Sequence, residues 1–519
     1  MMPAEKNLHL VSLRYLLQGK QNIKNDVLVG APSVDARNVD LNGVFLAISG
    51  SDSHGLMYAN QAIARGAKAI VYDPSSGGEF LAEKIKKQHD ICLIEACDLN
   101  ANASEIAARF YNNPSSSLSV IGITGTNGKT SISHFIAQAL SATKNSCGVI
   151  GTLGWGSVAK LHPSMNTTPD AVSVQSQLAT LVNEGFGAVA MEVSSHGLEQ
   201  NRVKAVAFKG AVFTNLTHDH LDYHQTMEAY GQAKITLFKN ASLDFVVLNT
   251  DDDFSQTIID VLAPTIKLFS FSRSAKQNLV RSARELIISN EKLTPAGLSF
   301  DVTFEAKTVT VRSALFGAFN VDNIVATMAV LIAMGATLEE SAARAQQLKS
   351  VAGRMQTIAK DPTAPTVIID YAHTPDALKL ALRSLHAHAE GKIKLIFGCG
   401  GNRDAAKRPV MGAIAAEWAD DVIITNDNPR LESAEKIAEQ IKSGAPNANH
   451  LTIELDRQRA IEHTIAGASA SDIILVAGKG HEEYQQIGEE KISFSDLVEA
   501  RNALERRALA GAGKSGCES

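Results

Sequence analysis

Along this chain, apolar runs of strand length alternate with stretches whose apolar residues recur at helical spacing. The run Val120-Ile-Gly-Ile-Thr124 predicts a strand. Gly125-Thr-Asn-Gly-Lys-Thr130 follows it, and Ile132, Phe135, Ile136, Ala139 and Leu140 then mark one face of a helix. Further strands are predicted at Ala188–Val193, Gly210–Asn215 and Phe245–Asn249, with a helix carrying Tyr230 to Phe238. Strands alternating with helices imply a mostly parallel sheet buried on both faces, whose ligands bind at the carboxyl ends of the strands. Three polar clusters follow such strands: the glycine loop, Glu192–His196 and His218–His220. Their convergence on one sheet edge is therefore expected.

The same pattern divides the rest of the chain. Strands at Gly43–Ser49 and Ala69–Tyr72, with a helix over Tyr58–Arg65, predict a small α/β domain, and a helix is expected over Ala103–Tyr111. Residues 265–313 alternate in the manner of an antiparallel flank, and a helix should run from the Phe316–Asn323 segment through Met334. After Ser350–Gln356, strands at Thr366–Asp370, Ile393–Phe397, Asp421–Thr425 and Asp472–Val476 each end in a polar loop. The predicted fold is α/β in three domains. These are a small α/β domain over 1–100, a central P-loop domain with a mostly parallel sheet over 101–350, and a doubly wound, Rossmann-like domain over 351–519. A disordered tail is expected from about Ala508.

Composition narrows the class. A chain of 519 residues with 45% hydrophobic and 20% charged residues is ordinary for a globular protein. A net charge of -6 gives no reason to expect nucleic-acid binding. No apolar run approaches a membrane span, and the first residues lack a signal-peptide core, so the cytoplasm and no membrane partner are expected. The five cysteines are scattered without a C-x-x-C pair, which supports neither a zinc site nor a disulfide framework.

The chemistry starts at the glycine loop. Strand, glycine loop and helix N-terminus form a phosphate-binding context, in which backbone N–H groups surround phosphate oxygens. Lys129 can reach the β- and γ-phosphates and Thr130 can sit on Mg²⁺. The strict P-loop spacing would need a glycine where Ile123 stands, so Thr124–Thr130 is a variant of it. Glu192 and His220, with Thr130, suit Mg²⁺; His218, His220 and His224 also read as zinc ligands or as a hydrogen-bonded cluster. Lys234, on a helix, reads alone as a solvated side chain. Arg354 could reach a γ-phosphate, and Asp370 and His373 could face a nucleotide. Arg403 and Arg430 suit a carboxylate clamp, although surface ion pairs account for them equally well. The loops Ser33–Arg37 and Ser49–Gly55 read equally as ligand loops or surface turns.

Taken in order, Thr124–Thr130, Glu192-Val-Ser-Ser-His-Gly197, Thr214-Asn-Leu-Thr-His-Asp-His220, Phe316-Gly-Ala-Phe-Asn320 and Asp370-Tyr-Ala-His-Thr-Pro-Asp376 resemble the motifs of the Mur ligases of peptidoglycan synthesis. The resemblance covers nearly the whole chain. It implies an ATP-dependent amide ligase that activates the D-Glu γ-carboxylate of UDP-MurNAc-L-Ala-D-Glu as an acyl phosphate and adds meso-diaminopimelate. It further implies that Gly125, Thr126, Asn127, Gly128, Lys129, Thr130 and Ser131 bind ATP, with Asn320 and Asn323 at the adenine and Asp370 at the ribose. Lys129, Glu192, His220, Lys234 and Arg354 would be catalytic. Mg²⁺ would be held by Thr130, Glu192, His220 and Lys234, the last as a CO₂-derived carbamate.

The uridine side of the nucleotide substrate would meet Val34, Ala36, Ser51, Asp52 and Ser53. Ala36 departs from the Ser common in relatives, at the cost of one hydroxyl contact. Asn166, Thr167, Thr168, Ser194, Gln200 and Arg202 would hold the muramoyl dipeptide. The resemblance assigns Asp427, Asn428, Pro429 and Arg430 to diaminopimelate, with Arg403, Gly478 and Glu482. Diaminopimelate carries a second carboxylate that lysine lacks, and a site built for that charge rejects an analogue without it. A monomer is expected. The alternatives are the same ligation with L-lysine, a folylpolyglutamate synthetase, which the Asp427–Arg430 motif disfavours, and a P-loop nucleotide switch, which would not need the third domain.

Overall fold

The structure is a computed structural model and describes residues 9–18, 26–50, 53–141, 146–273, 283–358 and 363–515, with side chains through Ala510. The chain divides into two compact units, residues 1–270 with 276–284, and residues 271–275 with 285–519.

Besides the short antiparallel pair Val11–Ser12 with Leu28–Val29, the first unit contains two larger sheets among its described residues. The smaller pairs Pro32–Ser33, Val44–Ala47, Ala69–Tyr72 and Cys92–Glu95 in that order, all parallel. Side chains alternate across a strand. Val44, Leu46, Ala69 and Val71 therefore pack on one face with the Leu99–Phe110 helix, while Phe45, Ala47, Ile70 and Tyr72 pack on the other with Leu56, Ala82 and Ile85. The Leu99–Phe110 helix begins four residues before the expected Ala103, because Asp98 takes a left-handed turn into it.

In the second sheet the parallel strands Cys147–Gly151, Ala188–Glu192, Ser119–Thr124, Phe208–Phe213 and Phe245–Asn249 lie side by side in that order. Gly154–Ser157 and Lys160–His162 extend it as antiparallel strands. The three polar clusters follow three adjacent parallel strands, so they emerge at one edge as the pattern required.

The second unit opens with an antiparallel meander, Arg284–Thr294, Gly297–Phe304 and Lys307–Ser313, and the Phe319–Ala333 helix. Its main sheet runs Gln356–Thr357, Thr366–Asp370, Ile473–Ala477, Ile393–Phe397, Asp421–Ile424, Leu451–Ile453, parallel except for the first strand. Here too the faces alternate. Ile368, Leu395, Phe397, Leu475 and Ile424 share one core, and Val367, Ile369, Ile396, Ile474 and Val476 share the other. The hairpin Tyr484–Ile487 with Glu490–Ser493 precedes a final helix, Asp496–Ser515. That helix corrects the expectation of a disordered tail from Ala508. Ala508, Leu509 and Ala510 favour helix and extend the turns before them. Among the described residues no helix is long and apolar enough to cross a membrane.

Candidate active site

The glycine loop is shaped by its own backbone and by the neighbouring strand. Gly125 has φ +145°, and a Cβ there would overlap Thr214 Oγ1. Only glycine lets the loop turn so close to the Phe208–Phe213 strand end. Thr214 Oγ1 donates to Asn127 O at 2.6 Å, Asn127 N donates to Asn215 Oδ1 at 2.9 Å, and Thr126 Oγ1 donates to Thr217 O at 3.2 Å. Thr214-Asn-Leu-Thr217 is thus a template for the loop. The Lys129–Ser141 helix begins on the loop's last turn, with Thr130 and Ser131 buried. Lys129 Nζ donates to Gly125 O and Thr126 O, both at 2.8 Å, so the loop's own carbonyls hold the ammonium.

Beside the loop, Glu192 is fully buried at its strand end. Oε2 accepts from Thr130 Oγ1 at 2.9 Å and from Thr152 Oγ1 at 3.2 Å, and Oε1 accepts from Thr152 N at 2.8 Å. Thr152 was not expected here. Its signal is weak, a threonine just past a strand end.

Lys234 is buried, not solvated as a lone helix lysine reads. Its Nζ donates to Gly125 O at 3.0 Å and lies 4.2 Å from the centre of the Tyr230 ring. Burial, reinforced by the Lys129 charge, pulls its pKa well below the ordinary lysine value of 10.5. The amine is thereby held toward its neutral, nucleophilic form.

The histidines divide. His220 is exposed, 3.6 Å from Asp219, with its ring edge-on to His196 and Tyr230. His224 is buried and linked to Ser195 Oγ at 2.9 Å and Glu199 Oε2 at 3.0 Å, which ties the short Ser195–Glu199 helix in place. Among the described residues no three His, Cys, Asp or Glu side chains are grouped to hold a metal. The structure joins Thr130 to Glu192, and Lys234 to the loop. His220 contacts His196 and Tyr230 instead.

The residues expected at the dipeptide form a connected network. Thr168 Oγ1 donates to Glu192 O and accepts from Ser194 N, each at 2.9 Å. Thr167 Oγ1 lies 3.0 Å from Thr152 Oγ1. Arg202 donates to Thr168 O at 2.7 Å and to Gln200 Oε1, and Ser194 Oγ caps Gly197 N. Asn166 is exposed. On the uridine side, Ser51 and Asp52 lie outside the described residues, and Val34 and Ser53 are half-buried. The Ala36 methyl sits in the core with Val39 and Phe45, so this position has only backbone to offer a ligand.

In the second unit, Asn320 and Asn323 are buried in the Phe319–Ala333 helix. Asn320 Nδ2 donates to Phe316 O at 2.7 Å, and Asn323 Nδ2 donates to Asn320 Oδ1 at 2.9 Å. Asp370 accepts from Met355 N at 2.7 Å and Ala372 N at 2.8 Å, and desolvation raises its pKa above the ordinary carboxylate value. The Arg354 guanidinium lies 5.2 Å from the Tyr371 ring centre, and its Nε is buried without a hydrogen bond.

The loops expected at the amino acid follow the adjacent strands Ile473–Ala477, Ile393–Phe397 and Asp421–Ile424. Arg430 has φ +51° and donates from Nη1 to Gly401 O at 2.8 Å. Its backbone pairs with the hairpin, through Arg430 N to Gln486 O at 3.1 Å and Gly488 N to Arg430 O at 2.8 Å. Arg403 is exposed, and both arginines flank Gly400. Asp427 is buried, and desolvation raises its pKa against the pull of Arg457 and Lys479. Gly478, at φ +111°, leaves room for the Asp427 carboxylate, which a Cβ would approach to 2.6 Å. Pro429 is buried, and Asn428 Nδ2 donates to Glu482 Oε2 at 2.8 Å.

Among the described residues of this unit three cations are buried, and none was expected at the site: Arg408, Arg457 and Lys479. Arg408 donates to Gly400 O at 3.1 Å and pairs with Glu432 at 2.8 Å. Arg457 pairs with Asp496 at 2.7 Å and donates to Asn426 O and Ala477 O, the carbonyls just before Asp427 and Gly478. Nothing in the sequence separates Arg457 from the surface Arg459 beside it. Lys479, a lysine between two glycines, carried a faint signal.

Two family profiles match the chain, the Mur ligase middle domain over residues 123–331 and the Mur ligase glutamate ligase domain over 353–480. The chain is similar to the UDP-N-acetylmuramoyl-L-alanyl-D-glutamate--2,6-diaminopimelate ligase of Alkalilimnicola ehrlichii, with 41% identity over 95% of this chain and 99% of the relative. With the protein of that name from Pseudomonas aeruginosa it shares 42% identity over 93% and 96%. A solved structure of a ligase of the same name aligns with TM-score 0.70 and 32% identity, over 96% of this chain and 99% of the other.

Proposed function

This chain belongs to the Mur ligase family, and we infer from that premise how its residues divide the work. It is an ATP-dependent amide ligase that adds meso-diaminopimelate to the D-Glu γ-carboxylate of UDP-MurNAc-L-Ala-D-Glu in peptidoglycan precursor synthesis. What supports the amino-acid assignment within the fold is the Asp427–Arg430 loop at a carboxyl sheet edge, where Arg430 and Arg403 flank Gly400.

In the proposed mechanism the D-Glu γ-carboxylate attacks the γ-phosphorus of ATP and ADP leaves. The diaminopimelate amine then attacks the acyl carbon, and phosphate departs with the C–O bonding electrons. Lys129 exchanges its two loop carbonyls for phosphate oxygens. Thr130 and Glu192, joined by a hydrogen bond, are the donors that would hold Mg²⁺, which when bound offsets phosphate charge; His220 is assigned to the metal by the family resemblance, not by a contact with them. Lys234 fits carbamate formation because burial pushes its amine toward the neutral form, the one that adds to CO₂. Asn320, Asn323 and Asp370 are assigned to the adenosine. Val34, Ser53 and the Ala36 backbone are assigned to the uridine side, with Ser51 and Asp52. Functional segments at about 1–100, 101–350 and 351–519 would carry the UDP-sugar, the ATP and the amino acid.

The test is phosphate release from ATP with the UDP-MurNAc dipeptide and either meso-diaminopimelate or L-lysine. Release with diaminopimelate alone is expected; equal release with lysine would refute the arginine clamp. For Lys234, a ¹³C carbamate resonance in ¹³C-bicarbonate should be present in the parent and missing in Lys234→Ala. Its absence from the parent would end the carbamate assignment.

A further inference from the structure

Asn428 and Glu482 are joined to each other and to one buried cation, Lys479. Lys479 is fully buried between Gly478 and Gly480. Its Nζ donates to Asn428 Oδ1 at 3.1 Å and to Glu482 Oε2 at 3.2 Å. Asn428 Oδ1 also accepts from Gln486 N of the hairpin at 2.9 Å, while its Nδ2 donates to that same Glu482 Oε2 at 2.8 Å. The amide orientation is thereby decided. An ammonium and an N–H both face Oδ1, so the other end must be the NH₂. One proton of Asn428 Nδ2 and the second oxygen of Glu482 are left by this arrangement for other partners.

We propose that Lys479 is a positioning residue for amino-acid selection, which turns Asn428 to present an N–H and Glu482 to present a carboxylate oxygen to the zwitterionic end of diaminopimelate. Two chemical facts point this way. A free amino acid has a carboxylate that needs donors and an ammonium that needs acceptors, and the Asn428–Glu482 pair offers one of each. Buried Asp427 and half-buried Glu482 would also repel one another without cations beside them; Arg457 and Lys479 both act on Asp427, and Lys479 is the one that also pairs with Glu482. The hairpin contributes through Gln486 N, and the same hairpin holds the Arg430 backbone. The register of Arg430 and the orientation of Asn428 are therefore set together.

The proposal rests on the reading that Asp427–Arg430 and Glu482 hold the incoming amino acid. The experiment separates the two. KM values for ATP, the UDP-MurNAc dipeptide and meso-diaminopimelate are measured for Lys479→Met, Lys479→Gln, Lys479→Arg and Glu482→Gln, with the melting temperature of each. Lys479→Met should raise the diaminopimelate KM roughly 10- to 100-fold, as loss of a buried charge partner does, and leave the other two within about twofold. Lys479→Arg should recover part of the loss, because it returns the charge in a shape that fits less well. If the Met variant does not fold, Lys479→Gln keeps a donor in the slot, drops only the charge, and is judged by the same three KM values. A diaminopimelate KM unchanged by loss of the charge, while Glu482→Gln raises it, overturns the role of Lys479 alone. All three KM values moving together with a lower melting temperature overturns it too, since that is the signature of a purely structural lysine. A Glu482→Gln variant with unaltered diaminopimelate KM removes the underlying reading of the loops.

Discussion

Each unit presents polar loops at the carboxyl edge of a parallel sheet, and the two edges are built by opposite means. In the first unit one contiguous loop, Gly125–Thr130, is shaped by two glycines at positive φ and by the facing strand end, and its lysine is satisfied by the loop's own carbonyls. In the second unit three loops from three strands meet, and buried Arg408, Arg457 and Lys479 reach them through carbonyls and carboxylates. The difference fits the ligands proposed for the two edges. Phosphate oxygens accept from backbone N–H groups, which any short glycine-rich segment can supply. An amino acid with two charged ends needs side chains of both signs at fixed separation, and those come from distant parts of the chain.

The comparison breaks most sharply at Lys129. Lys129→Ala should lower kcat by roughly 10²- to 10³-fold in the phosphate-release assay with little change in melting temperature, because the loop is shaped by its backbone. A large fall in stability instead would show that the lysine also builds the loop. Arg457→Met should do the reverse and destabilise the second unit by about 3–5 kcal/mol in chemical denaturation, since it leaves Asp496 buried and unpaired. The double change Arg457→Met with Asp496→Leu should recover much of that loss. If the single variant is as stable as the parent, the view of this edge as held by buried cations is wrong.

Arg430→Lys should raise the diaminopimelate KM roughly 10- to 100-fold at constant ATP KM, because an ammonium cannot replace the guanidinium fork. Equal KM values would remove Arg430 from the clamp.

The smallest effect concerns a buried group that is neutral. His388 Nε2 accepts from Gly317 N at 3.0 Å, so its proton is on Nδ1, which donates to Thr294 O at 2.7 Å. Burial lowers its pKa below the ordinary 6.5. The unfolded chain then takes up a proton that the folded one refuses. Stability is full above pH 6.5 and declines as the pH falls from there toward the depressed folded value. His388→Gln should flatten that part of the stability curve; an unaltered slope would assign it to other groups.

The two edges also differed in how far they could be read in advance. Gly125–Thr130, Glu192 and His220 were legible because each follows an apolar run, and the parallel order of those runs is forced by burial on both faces. Asp427–Arg430 and Glu482 were legible as strand-end loops and through the family resemblance. Arg457 was not, because an arginine on a helix beside another arginine has no local mark of burial. Lys234 was misread from its residues alone for the same reason, and only the resemblance singled it out. The tail past Ala508 was misread because small residues suit both disorder and a helix end, and the preceding turns decided in favour of helix.

By itself, then, the sequence determined many of the strands and their alternation with helices, the phosphate loop, and the strand ends where chemistry could sit, since all of these depend on local periodicity and on residues adjacent in the chain; it did not mark Cys147–Gly151 or Leu451–Ile453. Only the tertiary structure decided which charges are buried and what they hold. Arg457 on Ala477 and Asn426, Lys479 between Asn428 and Glu482, and Lys234 against Gly125 are contacts between segments far apart in the chain. A charge's surroundings are set by what packs over it, and packing is a property of the fold rather than of neighbouring residues.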